Sequence, residues 1–157
     1  MIPEIRTSEK RFLVGIAMDM SLVANETPSL FRAFMPNRKH IANTIGSAVY
    51  DMRIYPRDYF IQFSPQIKFQ KWAAMQVSDF NDIPHDMDSF TLVSGLYAVF
   101  TPPSTSSKSA PFTYIFQEWL PNSNYMLDDR PHFDLIEPGP TPGTSEKEEI
   151  WIPIQPK

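Results

Sequence analysis

The feature that most limits what this chain can fold into is a seven-residue phrase that occurs twice. Leu30-Phe-Arg-Ala-Phe-Met-Pro36 returns as Ile115-Phe-Gln-Glu-Trp-Leu-Pro121, and Asn follows each, at Asn37 and Asn122. Both read apolar, Phe, polar, variable, aromatic, apolar, Pro. The phrase recurs after 85 residues, while Val14-Gly-Ile-Ala17 is matched by Ser94-Gly-Leu-Tyr97 after 80 and Trp72 by Trp151 after 79. Several elements displaced by similar distances imply one unit written twice, each copy a strand, a helix and a strand pair. The copies run over about 11–77 and 90–155, inside a single domain spanning 1–157.

Hydrophobic periodicity supplies the elements. Phe12–Ser21 reads as a buried strand. A helix then opens with Thr27 as cap and Pro28 in its first position. Phe31, Phe34 and Met35 give it an apolar stripe, and Pro36 is expected to end it at Met35. Ser47–Pro56 and Phe69–Val77 read as strands, and Arg57–Gln66, with Phe60 and Phe63, as a loop or short insertion. The polar run Ser78–Asp88 is the seam between copies. In the second copy Phe90–Thr101 reads as one strand and Pro102–Pro111 as an exposed loop. The second helix has Ser109 as cap and a full core stripe at Phe112, Ile115, Phe116, Trp119 and Leu120, with Pro121 stopping it. His132–Ile136 and Ile150–Ile154 are the last strands, separated by a Pro/Gly loop with acid at its end. Pro153 suits an edge or a bulge.

Composition removes whole classes of function. The chain has no Cys, which excludes disulfides, thiol catalysis and Cys-based metal sites. A net charge of −4 leaves no basic footprint, so direct nucleic-acid binding is not expected. No apolar run is long enough to span a membrane and none opens the chain as a signal peptide; a cytoplasmic location is the expectation. His40, His85 and His132 stand at no triad spacing. His85-Asp-Met-Asp88 falls short of a four-ligand metal site, and 5 Gly provide no phosphate loop. No cofactor or metal is expected.

Four stretches then carry a resemblance. Gly95-Leu-Tyr-Ala-Val-Phe100, Ile115-Phe-Gln-Glu-Trp-Leu-Pro121, Asp129-Arg-Pro-His-Phe-Asp134 and Glu149-Ile-Trp-Ile-Pro-Ile154 come in this order. The series resembles the GyrI-like small-molecule-binding domains, which also form the effector-binding half of AraC-type and MerR-type multidrug-responsive regulators. The resemblance implies an α+β fold of two pseudo-symmetric β-α-β-β halves, with antiparallel sheet, two helices and a ligand cleft at their junction. The cleft would be lined with aromatics and hold an acid. It implies lipophilic, often aromatic and cationic ligands. In the regulators a DNA-binding module sits beside this domain. Too few residues precede Phe12 for one and the last strand runs to the end at Lys157, so a stand-alone form is the expectation, with any DNA-binding module or target on a separate protein.

Candidate site residues follow. In a strand, Asp134 shares a face with His132 and Ile136. The family pattern Phe-Glu-x-Tyr places a pocket Glu there, where this chain has Asp and then Ile136; the alternative is a strand-end acid in solvent. Glu118 forms an i, i+4 pair with Tyr114, and a carboxylate beside Trp119 would suit a cationic aromatic ligand. A solvated helical Glu is the competing reading. Tyr97 is either a pocket tyrosine or a half-buried strand residue. Trp72, Trp119 and Trp151 could wall a cleft, since aromatic faces attract cations, or pack in the core. The leading expectation is non-enzymatic binding of a lipophilic aromatic or cationic compound. The alternatives are hydrolysis of cyclopropane-type electrophiles, with Asp134 as base and Tyr97 as donor, and a protein-interaction role of the gyrase-inhibitor type.

Overall fold

The structure, a computed structural model, describes residues 1–103, 107, 109–141 and 145–157. It is an α+β fold on an antiparallel sheet. The strands are β1 (Glu4–Ser8), β2 (Arg11–Met20), β3 (Val49–Ile54), β4 (Phe69–Val77), β5 (Asp88–Leu92), β6 (Gly95–Phe100), β7 (Tyr125–Leu127), β8 (His132–Pro138) and β9 (Ser145–Pro156). Helix α1 is Thr27–Phe34, prolonged as a 3₁₀ turn over Met35–His40. The second helical run, α2, comprises Ala110–Tyr114, a π segment Ile115–Trp119 and a closing turn Leu120–Asn122.

Across the sheet the order is β1-β6-β9-β8-β3-β4-β2-β5, with β7 beside β9. Exchanging β1 with β5, β2 with β6, β3 with β8 and β4 with β9 reproduces this order from the other end. The outermost strands are exchanged: β1 pairs with β6, and β5 pairs with β2. At the centre β3 lies against β8. One transverse row crosses all of this: Trp72 is opposite Met52, Met52 opposite Phe133, and Phe133 opposite Trp151. Ala17 follows Trp72 at one end, and Val99 and then Glu4 follow Trp151 at the other. Register therefore equates Ala17 with Val99 and not with Tyr97, a shift of two residues that leaves every side chain on its own face.

Several boundaries depart from the sequence reading, each for a physical reason. The stretch expected as one strand from Phe90 breaks at Val93-Ser94 into β5 and β6, because its two parts pair at opposite ends of the sheet. The same separation makes β1 a strand. Residues 145–149, expected as loop, extend β9, which pairs with β8 there; residues 142–144 lie outside the described set, as do 104–106 and 108 of the Pro/Ser loop. Pro153 is not on an edge strand. It sits where β9 leaves β8, after Trp151, and meets β7, at Ile154, so its missing N–H interrupts no ladder on that side.

Neither predicted cap acts as one. Asn25 Oδ1 accepts from the Thr27 N–H at 2.9 Å, while the Thr27 hydroxyl accepts from Lys71 Nζ at 2.9 Å. The Ser109 side chain makes no cap bond. The α-helix does end ahead of Pro36, at Phe34, although the chain continues as a 3₁₀ turn, whereas Pro121 does not stop α2. Pro36 opens the 3₁₀ turn, and Pro121 lies inside the closing turn of α2. The preceding π segment widens the ladder, with the Leu120 N–H reaching Ile115 O; a wider turn accommodates a residue that can neither donate nor approach the carbonyl four back.

Apolar burial divides among three places. Helix α1 sets Leu30 and Phe34 against Val14, Ala73, Met75 and Val77. The five stripe residues of α2 pack on Ala98, Phe100, Ile150, Ile152 and Ile154. The sheet face away from the helices gathers Leu13, Tyr50, Met52, Trp72, Tyr97, Phe133 and Trp151. Since α1 covers β2 and β4 while α2 covers β6 and β9, a trough is left on the helical face over β3 and β8.

Candidate ligand cleft between the helices

The floor of the trough comes from alternate residues of the two central strands. Asp51, Arg53 and Tyr55 project from β3 and its end, His132 and Asp134 from β8. Register sets Asp51 opposite Asp134 and Arg53 opposite His132. Two carboxylates face to face in a sheet repel, and Arg53 separates them. Its Nη2 donates to Asp134 Oδ1 at 3.0 Å and its Nη1 to Asp51 Oδ1 at 3.3 Å. Lys71, from β4, closes on Asp51 at 3.4 Å and reaches Thr27 at the start of α1. Arg53 also lies 5.7 Å from the Phe112 ring of α2. The network thus runs from one helix to the other.

Burial governs the protonation of these groups. It pushes the Asp134 carboxyl up to about 6, against the downward pull of Arg53. It drives His132 well below its usual value, and the positive charges of Arg53 and Arg130 act in the same direction, so the imidazole is neutral. Burial works against the charge on Arg53, but the nearby Asp134, then Tyr55 and Asp51, more than restore it, and its pKa is raised. The Tyr55 phenol is raised by burial despite Arg53.

An aromatic layer roofs the floor. Phe60, from the loop after β3, stacks on His132 at 5.4 Å and on Phe116 of α2 at 5.5 Å. Tyr55 packs edge-on against both Phe60 and His132, with Tyr59 and Phe69 behind it. Beside this cluster opens a cavity of about 400 Å³. Tyr55, Phe60 and His132 form one wall; Leu120, Tyr125 and Leu127 contribute to the other. Its acids are already paired, Asp128 with Arg130 at 2.7 Å and Asp129 with Arg57 at 3.8 Å. A second hollow of about 460 Å³, lined by Arg6, Lys10, Arg11, Gln76 and Trp151 among others, is polar and lies by the β1–β2 turn.

The residues singled out in the sequence do not converge. Asp134 reaches the cleft floor, where it is 6% exposed and ion-paired rather than a strand-end acid in solvent. Tyr97, Trp72 and Trp151 belong to the opposite face of the sheet. Tyr97 is fully buried against Phe133 and Trp151, with Arg130 over its ring. Trp72 donates to Gln70, and Trp151 lies beneath Arg11. Asp134 and Tyr97 therefore cannot act as base and donor on one substrate, because the sheet stands between them. On α2, Trp119 packs on Phe100 and Tyr125, the Tyr114 hydroxyl donates to Met1 O, and Glu118 is exposed. The sequence reading missed Arg53, Tyr55, Phe60 and the role of His132. A signal for two of them existed: Asp51-x-Arg53-x-Tyr55 places polar groups on one face of a strand whose other face is apolar.

This geometry, a pseudo-symmetric antiparallel sheet with a roofed trough between two helices, is that of the GyrI-like fold. A profile of the family Cass2, integron-associated effector binding protein, matches residues 4–154. The chain belongs to that family. Solved structures agree on the fold. The structure of SAV2435 bound to tetraphenylphosphonium superposes with a TM-score of 0.72 at 21% identity, covering 99% of this chain and 94% of that one. The EcmrR C-terminal domain gives 0.65 at 12%, covering 100% of both chains. The integron cassette protein VCH_CASS2 from the mobile metagenome of Vibrio cholerae gives 0.63 at 12%, covering 98% and 95%. No curated protein matches the chain. Among the described residues no helix is long and apolar enough to cross a membrane.

Proposed function

We propose that this chain is an effector-binding domain that takes up a lipophilic aromatic small molecule in the trough over β3 and β8, without chemistry on it. In this reading residues 1–157 act as one domain, and the halves at about 11–77 and 90–155 derive from one duplicated unit. The observation that carries the proposal is the cavity of about 400 Å³ beside Tyr55, Phe60 and His132. Its volume falls in the range of small-molecule sites, and its walls are mostly aromatic and aliphatic. The related SAV2435 was solved with a tetraaryl compound, which supports a ligand of this kind.

Binding would draw on desolvation. Aromatic groups bury about 150–250 Å² each, worth on the order of 4–6 kcal/mol per ring at about 25 cal/mol per Å² before ordering costs. Phe60 is 40% exposed, and its ring lies over His132 where a ligand ring could stack. Such a domain senses or sequesters its ligand.

Isothermal titration against a panel of triaryl and tetraaryl compounds tests this, with Leu127→Trp as the variant that fills the cavity. Micromolar binding by the unaltered protein, lost in the folded variant, is expected. Equal binding by the two would remove the cavity from the mechanism.

A further inference from the structure

We propose that Phe60 is a displaceable plug, whose ring holds the position over His132 and Phe116 that an aryl ring of the ligand takes on binding. This rests on the reading of the trough as the ligand site, and adds which of its walls gives way.

The plug stands outside the duplicated scaffold. In the first half residues 55–68 join β3 to β4, while in the second half residues 139–144 separate β8 from β9, their equivalents. The longer connection carries Phe60 across the helical face to the other half of the molecule. There its ring lies 5.4 Å from that of His132, with planes 22° apart, and 5.5 Å from that of Phe116, with planes 16° apart. The His132 and Phe116 rings are themselves 6.3 Å and 27° apart, so all three planes run nearly parallel. Phe60 thus gives its two partners the offset face contact that any flat aromatic group would give them. Its ring is 40% exposed. The position therefore lies at the solvent boundary, next to the cavity of about 400 Å³ that both Phe60 and His132 line.

The loop lets the ring leave while its frame stays. Tyr59, 3% exposed, is fixed against Tyr55 and Phe69. The Ile61 and Gln62 N–H groups donate to Asp58 O at 3.1 and 3.2 Å, and the Val23 N–H donates to Pro65 O at 3.2 Å. None of these bonds uses the Phe60 side chain, so rotation about its own χ angles withdraws the ring without unfolding the turn. Ile61 and Phe63 of the same loop are already 80% and 55% exposed, and a withdrawn ring joins apolar side chains rather than open water alone.

The exchange costs little where it happens. A ligand ring takes over the stack on His132 and Phe116, so those contacts are made before and after. Further rings of the ligand fill the adjoining cavity and supply the net gain. A compound with several aryl groups therefore displaces Phe60, whereas a single ring fits beside it. The apparent affinity of the larger compound is lowered by the fraction of molecules that hold the ring in place.

Isothermal titration with tetraphenylphosphonium compares the unaltered protein with Phe60→Ala and Phe63→Ala. Phe60→Ala should bind at least five-fold more tightly, the factor expected when about one molecule in five or fewer has the ring withdrawn. Phe63→Ala, which removes a ring of the same loop outside the cavity wall, should stay within two-fold. Phe60→Trp supplies a second readout: on saturation its added emission should move to longer wavelength, as the indole passes from the stack into water. Emission that stays in place or moves to shorter wavelength would overturn the displacement. Equal or weaker binding by Phe60→Ala would also overturn it, making Phe60 a fixed wall while leaving the trough as a binding site. Equal gains in both alanine variants would do the same, because loosening of the whole loop would then suffice. Failure of tetraphenylphosphonium to bind either the unaltered protein or Phe60→Ala would overturn the binding reading, and the plug with it.

Discussion

The two faces of the central strand pair differ more than any two elements of the molecule. Phe133 and His132 are neighbours in sequence, both under 5% exposed, yet each belongs to a different kind of interior. On the face away from the helices, Tyr50, Met52, Phe133, Tyr97 and the two indoles form an aromatic core. The Tyr50 hydroxyl there is held by Arg11 at 2.7 Å. On the helical face, the same strands carry a chain of ion pairs under a layer of rings. In the proposed reading one face holds the sheet in shape and the other receives the ligand. Burial alone does not separate core from site; what distinguishes the site is buried charge whose partners come from within the sheet.

The comparison is tested most severely by removing a ring from the face away from the helices. Phe133 is fully buried and stacked 5.1 Å from Trp151. Phe133→Ala should cost about 3–5 kcal/mol of stability, read by urea denaturation. Any protein that remains folded should keep its ligand affinity within a few-fold. A ten-fold or larger change in affinity with little loss of stability would reverse the roles assigned to the two faces.

The sequence carried the architecture further than the site. Loose matches at offsets of 79 to 85 residues were enough to set out two β-α-β-β units, and register gives Trp72 and Trp151 equivalent places in one row. The exchanged edge strands were not legible, because a break at Val93-Ser94 between two apolar runs becomes visible only when each run has found its partner. The site was obscured by a different cause. A strand flips its side chains at each residue, so aromatic content by itself does not say which rings share a face. The resemblance set Tyr97 with Asp134, and aromatic character set Trp72 and Trp151 there, and the pleat separates them. Arg53 was missed because an arginine within a strand reads as solvent-facing until an acid 81 residues away is set beside it.

A moderate effect should appear in the pH dependence, where two groups of the helical face oppose each other. His132 is held neutral, with its pKa below the unfolded value. The stability this implies is present above about pH 6.5, the ordinary histidine value, and is lost as pH falls below it. Asp134 behaves the other way, since its pKa is raised to about 6. Its contribution is present at low pH and is lost as pH rises through about 6. Arg53, Asp51 and Glu148 act on this carboxyl, and Arg53 and Arg130 on the imidazole. Between pH 7 and pH 5 the histidine should cost stability and the acid should return about 1 kcal/mol of it. In urea denaturation of the unaltered protein the two should therefore partly cancel. His132→Gln should gain about 1 kcal/mol on the same acidification, and Asp134→Asn should lose more stability than the unaltered protein. Parallel behaviour of the two variants would mean that these side chains do not share a buried floor.

The smallest effect is expected from Glu118, the other acid that the sequence offered for a cation. It stands exposed on the π segment of α2, and the hydrogen bond found at this residue is made by its backbone carbonyl, to Asn122 Nδ2 at 2.7 Å. That bond does not depend on the carboxylate. Glu118→Gln should shift stability by less than about 0.5 kcal/mol, as surface substitutions usually do. It should also leave the affinity for tetraphenylphosphonium within about two-fold. The comparison with Asp134 is then direct. Both are carboxylates near an aromatic neighbour in sequence, but only Asp134 is fixed by a guanidinium on the floor of the trough. If Glu118→Gln weakened phosphonium binding ten-fold, the cation would be meeting α2 on its outer surface, and the trough beneath Phe60 would no longer be the place where it binds.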